Sequence, residues 1–587
     1  MTDVSAHPKS TLQPRPEQLG SGSAPWDFET DLLVLGSGAG GLAASLYGAK
    51  EGLSVLLCEK SATLGGTTAR SAGMVWIPCS QQAQKAGIED SIDRARQYLR
   101  HELGNHYRAD LVDALLTSGA EALATLEDGT EVKFDLASAP DYHPDQVGGL
   151  DKGRALNIRP FDGRRLGSDL GLVCPPLPRM LVLGGMMISS SEIQAFLKPF
   201  SSKANFKHVL RRLARYAKDR LRFPRGTELG NGNALVGRLV YSLKQTNADI
   251  WIEASLTELI REEGCVLGAV IKRHGKAVRV RARKGVVLAT GGFAHSPELR
   301  HRLSANYPHS HSLVYESNTG DGLTAAMAIG AAIDTDLASP GLWAPASIYT
   351  RADGAEKLNP YGWLDRGRPG LIAVNSHGKR FVNESNSYHD IIAAMFDSGG
   401  GSDNRFFFIC DGAFMRKRGL GMLLPYPWTR NLTRYVKREY IYEGKTIQEL
   451  ALRIGIDPEA LAQTVRLHNE NSKTGVDPEF NRGKNYYNRL LGDAAVKPNP
   501  NLGPIEKAPF YALRIIPSTL GTACGLKTDR DARVLDDIDN PIPGLYACGS
   551  DLASPMRGYY PGPGIALGPA IVFAFRAVRH VAIPVRA

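Results

Sequence analysis

The chain has 587 residues, of which 43% are hydrophobic and 22% charged, and it carries a formal net charge of +10. That length allows two or three domains around a large core, and the composition is that of a globular protein, which excludes collagen-like and low-complexity chains. No apolar run reaches transmembrane length, and seven scattered cysteines without a CxxC pair argue against zinc or a disulfide framework and fit a reducing cytoplasm.

Residues 1–26 are polar and rich in Ser and Pro, with no apolar signal core, and are expected to form a flexible tail. A βαβ unit follows. Asp31–Leu35 is a short apolar strand, Gly36-Ser37-Gly38-Ala-Gly40-Gly41 is a turn, and a small-residue helix runs to Ala49. A second strand, Leu53–Leu57, ends at Glu59 and Lys60, about 20 residues beyond the turn, as dinucleotide binding requires. Gly36 makes the turn, Gly38 lets backbone reach a pyrophosphate, and Gly41 lets helix and strand pack closely. Glu59 is expected to hold the ribose hydroxyls.

The next stretch, Gly65-Gly66-Thr67-Thr68-Ala-Arg-Ser71-Ala-Gly73, favours FAD over NAD, because such a run wraps the pyrophosphate and flavin edge in two-domain flavoproteins. It contains no histidine, so the flavin is expected to be non-covalent.

Tyr98–Leu126 reads as helical, and Tyr142 lies in a Pro-flanked loop, where an ordinary surface tyrosine is the plain alternative. Residues 156–230 look like an insertion. Within it Lys203–Arg225 sets nine Lys and Arg residues against Asp219 alone, interleaved with Leu210, Leu213, Leu221, Phe206 and Tyr216. This is a basic amphipathic helix. It either lies on an anionic membrane surface or packs its apolar side on the body.

Asn231–Gln245 reads as a further helix, and Ile250–Ile260 and Cys265–Ile271 alternate like an antiparallel sheet that Val278–Val280 continues. Gly285–Gly292 is a buried strand whose closing turn, Gly291-Gly292, returns to the nucleotide. The backbone at Ser255 is a candidate adenine contact. Asp321 opens an alanine-rich helix and is read as a cap near the flavin.

From there to about Pro500 a second domain is expected, containing Arg366–Asn375, Gly378–Glu384 and Tyr388, which opens an apolar helix. The last segment returns to the first domain, with strand Leu545–Cys548, Gly549, and Asp551 reaching toward the ribityl chain. The fold class is therefore α/β: a discontinuous Rossmann-like FAD-binding domain (27–313 and 501–587) with an inserted α+β domain (314–500).

Near the C-terminus, Arg557-Gly-Tyr-Tyr560-Pro-Gly-Pro-Gly564-Ile-Ala566-Leu567-Gly568 leads into an apolar helix. A phenol at Tyr560 and the backbone N–H of Gly564, at a helix N-terminus, are spaced to converge on one carbonyl oxygen and stabilise an enolate. A structural turn capping the last helix is the alternative.

Taken together, the chain resembles the 3-oxosteroid Δ1-dehydrogenases, within the wider fumarate reductase-like flavoproteins, from Asp31 to His580. Gly36–Gly41, Gly65–Thr68, Arg366–Asn375 and Gly378–Glu384 mark the wider family. Three tyrosines mark the narrower one: Tyr142 in Pro-Asp-Tyr, Tyr388 in Asn-Glu-Ser-x-x-Tyr, and Tyr560 with Gly564 in Tyr-Tyr-Pro-Gly-Pro-Gly. The insertion is longer than the family pattern.

The resemblance implies that Tyr388 takes a proton from carbon 2 with help from Tyr142, while Tyr560 and the Gly564 N–H bind the 3-oxo group. FAD accepts a hydride and passes electrons to a quinone or dye-like acceptor. It also implies an apolar steroid-like substrate, with Met180–Met187, Trp343 and Trp363 as candidate walls, and a cytoplasmic protein, with peripheral contact at the inner membrane face as the alternative. The competing readings are a fumarate reductase-like enzyme using Arg366 or Arg368, a Δ4-type steroid dehydrogenase, and a flavin-binding scaffold.

Overall fold

The structure is a computed structural model that describes residues 25–189, 192–305, 307, 311–360, 366–398 and 405–583. Strand β1 (Phe28–Leu35) ends in four buried residues, as expected of a strand covered on both faces. Helix α1 (Ala39–Lys50) follows directly, then strand β2 (Val55–Cys58), which lies parallel to β1 with Leu32 opposite Val55. Gly36 adopts φ +104°, and a Cβ on Gly41 would lie 1.8 Å from the Gly36 carbonyl oxygen, so the helix can leave the strand at this angle only with glycine at both positions.

The helical stretch read over 98–126 is two helices, α2 (Ile92–Leu103) and α3 (Ala109–Glu127). Gly104, at φ +48°, ends the first. Helix α4 (Lys203–Arg220) lies in the insertion, and α5 (Asn231–Leu243) is almost wholly buried. Strands β3 (Asp249–Trp251), β4 (Ala254–Glu262), β5 (Cys265–Arg273) and β6 (Lys276–Leu288) complete most of the first sheet, whose order is β3-β2-β1-β6-β5-β4. Val278–Val280 and the first half of the Gly285–Gly292 segment, read as separate strands, form this single strand β6. Its first half pairs antiparallel with β5 and its second half parallel with a late strand, while β1 runs alongside both.

A second sheet is built from β7 (Gly341–Thr350), β8 (Glu356–Pro360), β9 (Leu371–Val374), β10 (Phe406–Asp411) and β11 (Phe510–Thr522), in the order β8-β7-β11-β10-β9. Helix α6 (Tyr388–Ser398) packs against β7. Residues 510–522, expected with the returning nucleotide segment, pair instead with β7 and β10, so they lie at the centre of this second sheet. The chain then rejoins the first sheet through β12 (Arg533–Leu535) and β13 (Pro541–Ala547), which sits beside β6. Helix α7 (Leu567–Ala582) closes the molecule, with its apolar side against α1 and α3; the Tyr47 and Phe575 rings meet at 5.2 Å.

Helix α4 is turned the other way. Its buried residues are Arg212 and Asp219. Arg212 pairs with Glu192 and Glu228 and donates to the Met187 carbonyl, Arg215 donates to Asp162, and Asp219 accepts from the Thr227 hydroxyl. Phe206, Leu210 and Leu221 point to solvent, the last 84% exposed, and Phe206 stacks on Phe200, itself 83% exposed. Among the interleaved residues, the expectation that an apolar side packs on the body holds only for Leu213 and Tyr216, which are half-buried, because the insertion meets the rest of the inward face of α4 with carboxylates and carbonyls. Among the described residues, no helix is long and apolar enough to cross a membrane.

Candidate active site

The ends of β1, β2, β6 and β13 carry the glycine-rich turns. Glu59 accepts from the Ser37 N–H and hydroxyl (3.0 and 2.6 Å) and from the Ser61 N–H (2.8 Å), so it first ties the turn after β1 to β2. The Gly65 N–H donates to the Ser37 hydroxyl, and the Ala39 N–H donates to the Thr68 hydroxyl, which brings Gly66-Thr67-Thr68 against the N-terminus of α1. Thr67 accepts from the Tyr315 N–H, Ser71 donates to the Thr68 carbonyl, and the Gly73 N–H donates to Ser71. Ala566 and Leu567 form the start of α7, and Ser255 lies early in β4 opposite Lys272.

Gly38 shows that this cradle is shaped for something other than protein. Its φ of −66° suits any residue, and a Cβ there would meet only the Thr68 hydroxyl, at an ordinary 3.6 Å. Glycine at that point leaves room at a helix N-terminus, where backbone N–H groups and the helix dipole suit a pyrophosphate. A Cβ on Gly549 would likewise meet nothing within 4 Å. The donor set and the space fit the diphosphate of FAD.

Two expected contacts are engaged otherwise. Asp551 is fully buried and accepts from Thr290 and from the Gly292 N–H, so it clasps the Gly291-Gly292 turn rather than reaching outward. Burial pushes its carboxyl up. Asp321 is not a cap. Gly320 occupies the N-cap position, and the Asp321 carboxylate pairs with Lys60 at 2.7 Å and accepts from Thr319.

Tyr142, Tyr388 and Tyr560 come together. The Tyr142 and Tyr388 hydroxyls lie 3.0 Å apart. The Tyr560 ring stacks on Tyr142 at 5.6 Å and meets the edge of Tyr388 at 5.1 Å. Tyr142 and Tyr388 are buried, while Tyr560 is half-buried. Each is held from behind. The Pro561 carbonyl accepts from the Tyr142 N–H at 2.8 Å and from the Tyr98 hydroxyl at 2.6 Å. Gly564, at φ +98°, lies so close to the Val75–Trp76 backbone that a Cβ would come within 2.6 Å, and its carbonyl accepts from the Trp76 N–H. Its neighbours Trp76, Asp141 and Arg154 form a buried chain of hydrogen bonds.

Tyr388 is the first residue of α6, just after Glu384. Glu384 is buried between Arg380 and Arg482 (2.8 and 2.9 Å), which overcome the cost of burial and hold its carboxyl down at about 2. Asp477 pairs with Arg380 in the same network. Burial pushes all three phenols up. On Tyr142 the hydrogen bond with Tyr388 and the nearby Arg366 act in the opposite direction.

Residues without a sequence signal complete the cluster. Tyr487 is wholly buried, its ring 5.0 Å from that of Tyr142, and its hydroxyl accepts from Arg366 at 3.1 Å. Ala344, Leu491 and Leu520 supply apolar walls. The expected walls lie elsewhere. Met186 and Met187 form a short hairpin with Leu181 and Val182 beside α4, and Trp343 points away from the Ala344 side, to stack on Tyr307. Trp363 lies outside the described residues. Each of two tyrosines is followed by a histidine. His389, driven down to about 4 by burial, is neutral and accepts from the Trp343 N–H, with its ring 5.8 Å from Tyr560. His143 lies between Glu102 and Asp390. The adjacency of these histidines to the tyrosines was the only local signal for either.

A dinucleotide cradle beside a cluster of buried phenols defines a flavin-dependent oxidoreductase. The FAD binding domain family matches residues 31–567, and the chain belongs to that family and shares it with the 3-oxosteroid 1-dehydrogenases. FAD is its cofactor. The chain is 39% identical to the 4-oxocyclohex-2-ene-1-carboxylate 5-dehydrogenase of Sinomonas cyclohexanicum, with 94% of this chain and 93% of that protein aligned. It is 33% identical to the 3-oxosteroid 1-dehydrogenase of Mycolicibacterium smegmatis, covering 94% and 97%. The crystal structure of 3-ketosteroid Δ1-dehydrogenase from Sterolibacterium denitrificans, in complex with 1,4-androstadiene-3,17-dione, superposes with a TM-score of 0.86 at 35% identity, covering 94% of this chain and 99% of that one.

Proposed function

We propose that this protein is an FAD-dependent desaturase of a ring ketone, acting at carbons 1 and 2 of a 3-oxosteroid. The observation that carries the reading is the meeting of three phenols, drawn from distant parts of the chain, beside the Gly564 turn. The two dehydrogenases at 39% and 33% identity share one chemistry, in that the names of both place the dehydrogenated carbon–carbon bond beside a ring carbonyl.

The substrate carbonyl oxygen binds to the Tyr560 hydroxyl and the Gly564 N–H. Both donors grow stronger partners as enolate charge develops, which makes the neighbouring C–H acidic enough to lose its proton. Tyr388 receives that proton. Because burial disfavours a lone phenolate, the charge is shared across the Tyr388–Tyr142 hydrogen bond, so the pair acts as one base with Tyr487 and Arg366 behind it. The apolar walls exclude water from the ring. FAD, which the Gly36–Gly41 turn, Gly66–Thr68 and the Gly291 and Gly549 turns would hold, would supply the hydride acceptor. A quinone or dye-like compound would serve as the external electron acceptor.

The test is direct. The purified yellow protein should bleach a dye acceptor in the presence of androst-4-ene-3,17-dione and should not oxidise reduced viologen with fumarate. The 39% identity to an oxocyclohexene carboxylate dehydrogenase supports a second reading, in which the ketone is a small carboxylated ring. Dye bleaching with 4-oxocyclohexanecarboxylate and none with the steroid would replace the first reading by the second.

The protein also docks on an anionic bilayer through α4. The outward stripe of Phe200, Phe206, Leu210 and Leu221 is flanked by exposed Lys203, Lys207, Arg211 and Lys218. Exposed Trp428 joins this surface through its indole N–H, which donates to the Leu197 carbonyl at 3.1 Å. Aromatic and cationic groups together suit a lipid headgroup boundary. Co-flotation with phosphatidylserine vesicles at low salt is expected, and its absence would remove the membrane from the reading.

A further inference from the structure

We propose that His143, held as an imidazolium between Glu102 and Asp390, is a positioning residue that sets the contact between the Tyr142 and Tyr388 hydroxyls. Its two ring nitrogens lie 2.7 Å from Glu102 Oε2 and 2.9 Å from Asp390 Oδ2. A carboxylate only accepts hydrogen bonds, so both nitrogens must carry hydrogen, and the ring must be charged. His143 follows Tyr142 in the chain. Asp390 lies two residues past Tyr388 and is itself locked to the start of α6: it accepts from the Ser387 N–H, and the Ser387 hydroxyl accepts from its own N–H (3.2 and 3.1 Å). The path Tyr142–His143···Asp390–α6–Tyr388 is therefore a closed ring whose other closure is the phenol–phenol hydrogen bond.

That single neutral hydrogen bond, which replaces one to water, is too weak to fix two side chains carried by separate segments. The ion pair to α6 and the second one to α2 do so. The titratable groups facing His143 are Glu102 and Tyr98 on α2 and Asp390 and His389 on α6; Tyr98 accepts weakly from the His143 N–H, at 3.4 Å. The two carboxylates raise the imidazole well above its ordinary value, against the opposing effect of burial. Removing its proton would leave Glu102 and Asp390 both facing a neutral ring, with α2 and α6 no longer drawn together.

The proposal rests on the desaturase reading. The experiment uses the full-length holoenzyme with a ring ketone and the same ketone deuterated at the carbon next to the carbonyl. His143→Gln and Asp390→Asn are expected to lower kcat about 10- to 100-fold, since small misplacements of a base cost that much. The isotope effect on kcat should rise as proton removal becomes more limiting, while KM and the flavin spectrum stay near wild type. Glu102→Gln, the milder change, is expected to fold and to shift the alkaline limb of the kcat profile to lower pH. If the first two variants lose flavin, the Glu102→Gln profile decides: a profile superimposable on wild type overturns the proposal. Retained kcat, or lowered kcat with an unchanged isotope effect, also overturns it. A wild-type enzyme inert toward every ring ketone sinks the desaturase reading and this proposal together, whereas an active wild type with unaffected variants sinks the proposal alone.

Discussion

Two regions of this molecule depart from the rule that apolar groups go inside and polar ones outside, and they do so in opposite senses. The phenol cluster buries hydroxyls, an arginine and a carboxylate network, each matched by a partner. Helix α4 buries charged groups against the insertion and leaves Phe206, Leu210 and Leu221 in water. Scattered exposed leucines need no explanation, but a matched polar interior and a continuous apolar stripe both do. In the first region the unusual burial concentrates electrostatic effects where water is excluded, which serves chemistry. In the second the unusual exposure leaves a surface that only another phase or partner can cover.

The sharpest way to break this comparison is at the base. Tyr388→Phe is expected to lower kcat by about 10²–10⁴-fold while flavin stays bound, because general-base contributions have that size. Stopped-flow bleaching of the flavin absorbance reads it, and near-normal turnover would remove Tyr388 from the role. Tyr560→Phe removes one of two donors to the carbonyl oxygen and should cost about 10²–10³-fold.

The buried network should be felt in stability. Glu384→Gln leaves Arg380 and Arg482 without their shared anion and is expected to destabilise the fold by about 3–5 kcal/mol in denaturant titrations. The Glu384 carboxyl titrates at about 2 in the folded protein, below its ordinary value of 4.5. Its contribution is therefore complete above the ordinary value and is lost as pH falls through about 2, so the variant should show a flatter acid limb in that window. The smallest effect belongs to α4. Replacing Phe206, Leu210 and Leu221 by serine should change stability by no more than about 0.5 kcal/mol each, because all three are exposed and the one ring contact, Phe206 on Phe200, is itself at the surface, yet abolish vesicle co-flotation. A large loss of stability from those changes would mean that the stripe is covered in the folded protein.

The same contrast explains what could be read from the residues alone. The β1–α1–β2 unit was legible because a strand, a glycine turn and a helix within 30 or so residues are fixed by local spacing. The three tyrosines stood out by their flanking motifs, but nothing local dictates that they meet. Tyr487, Glu102 and the pairing of His143 with Asp390 were not legible, since each acts through a neighbour far away in the chain. Asp321 was read as a cap and Asp551 as reaching toward the ribityl chain because a sequence does not reveal that Lys60 and the Thr290–Gly292 turn compete for them. Strand β11 was placed with the returning nucleotide segment because composition alone set that boundary near Pro500, whereas its pairing is set by β7 and β10. In α4 the pattern marked an amphipathic helix but not which of its apolar residues turn inward, since that depends on what the body presents to it: Leu213 and Tyr216 are half-buried, whereas Phe206, Leu210 and Leu221 are exposed.

One carbonyl oxygen has a wider bearing. Pro561, in the turn proposed to grip the ketone, accepts both the Tyr142 amide hydrogen and the Tyr98 hydroxyl. The clamp for the ketone and the seat of an assisting phenol are thus one rigid piece, anchored on α2. Swapping the C-terminal turn between related proteins would carry the alignment of proton removal along with it. Ring-size preference and reaction rate should therefore drift together unless positions 98 and 142 are exchanged in the same step.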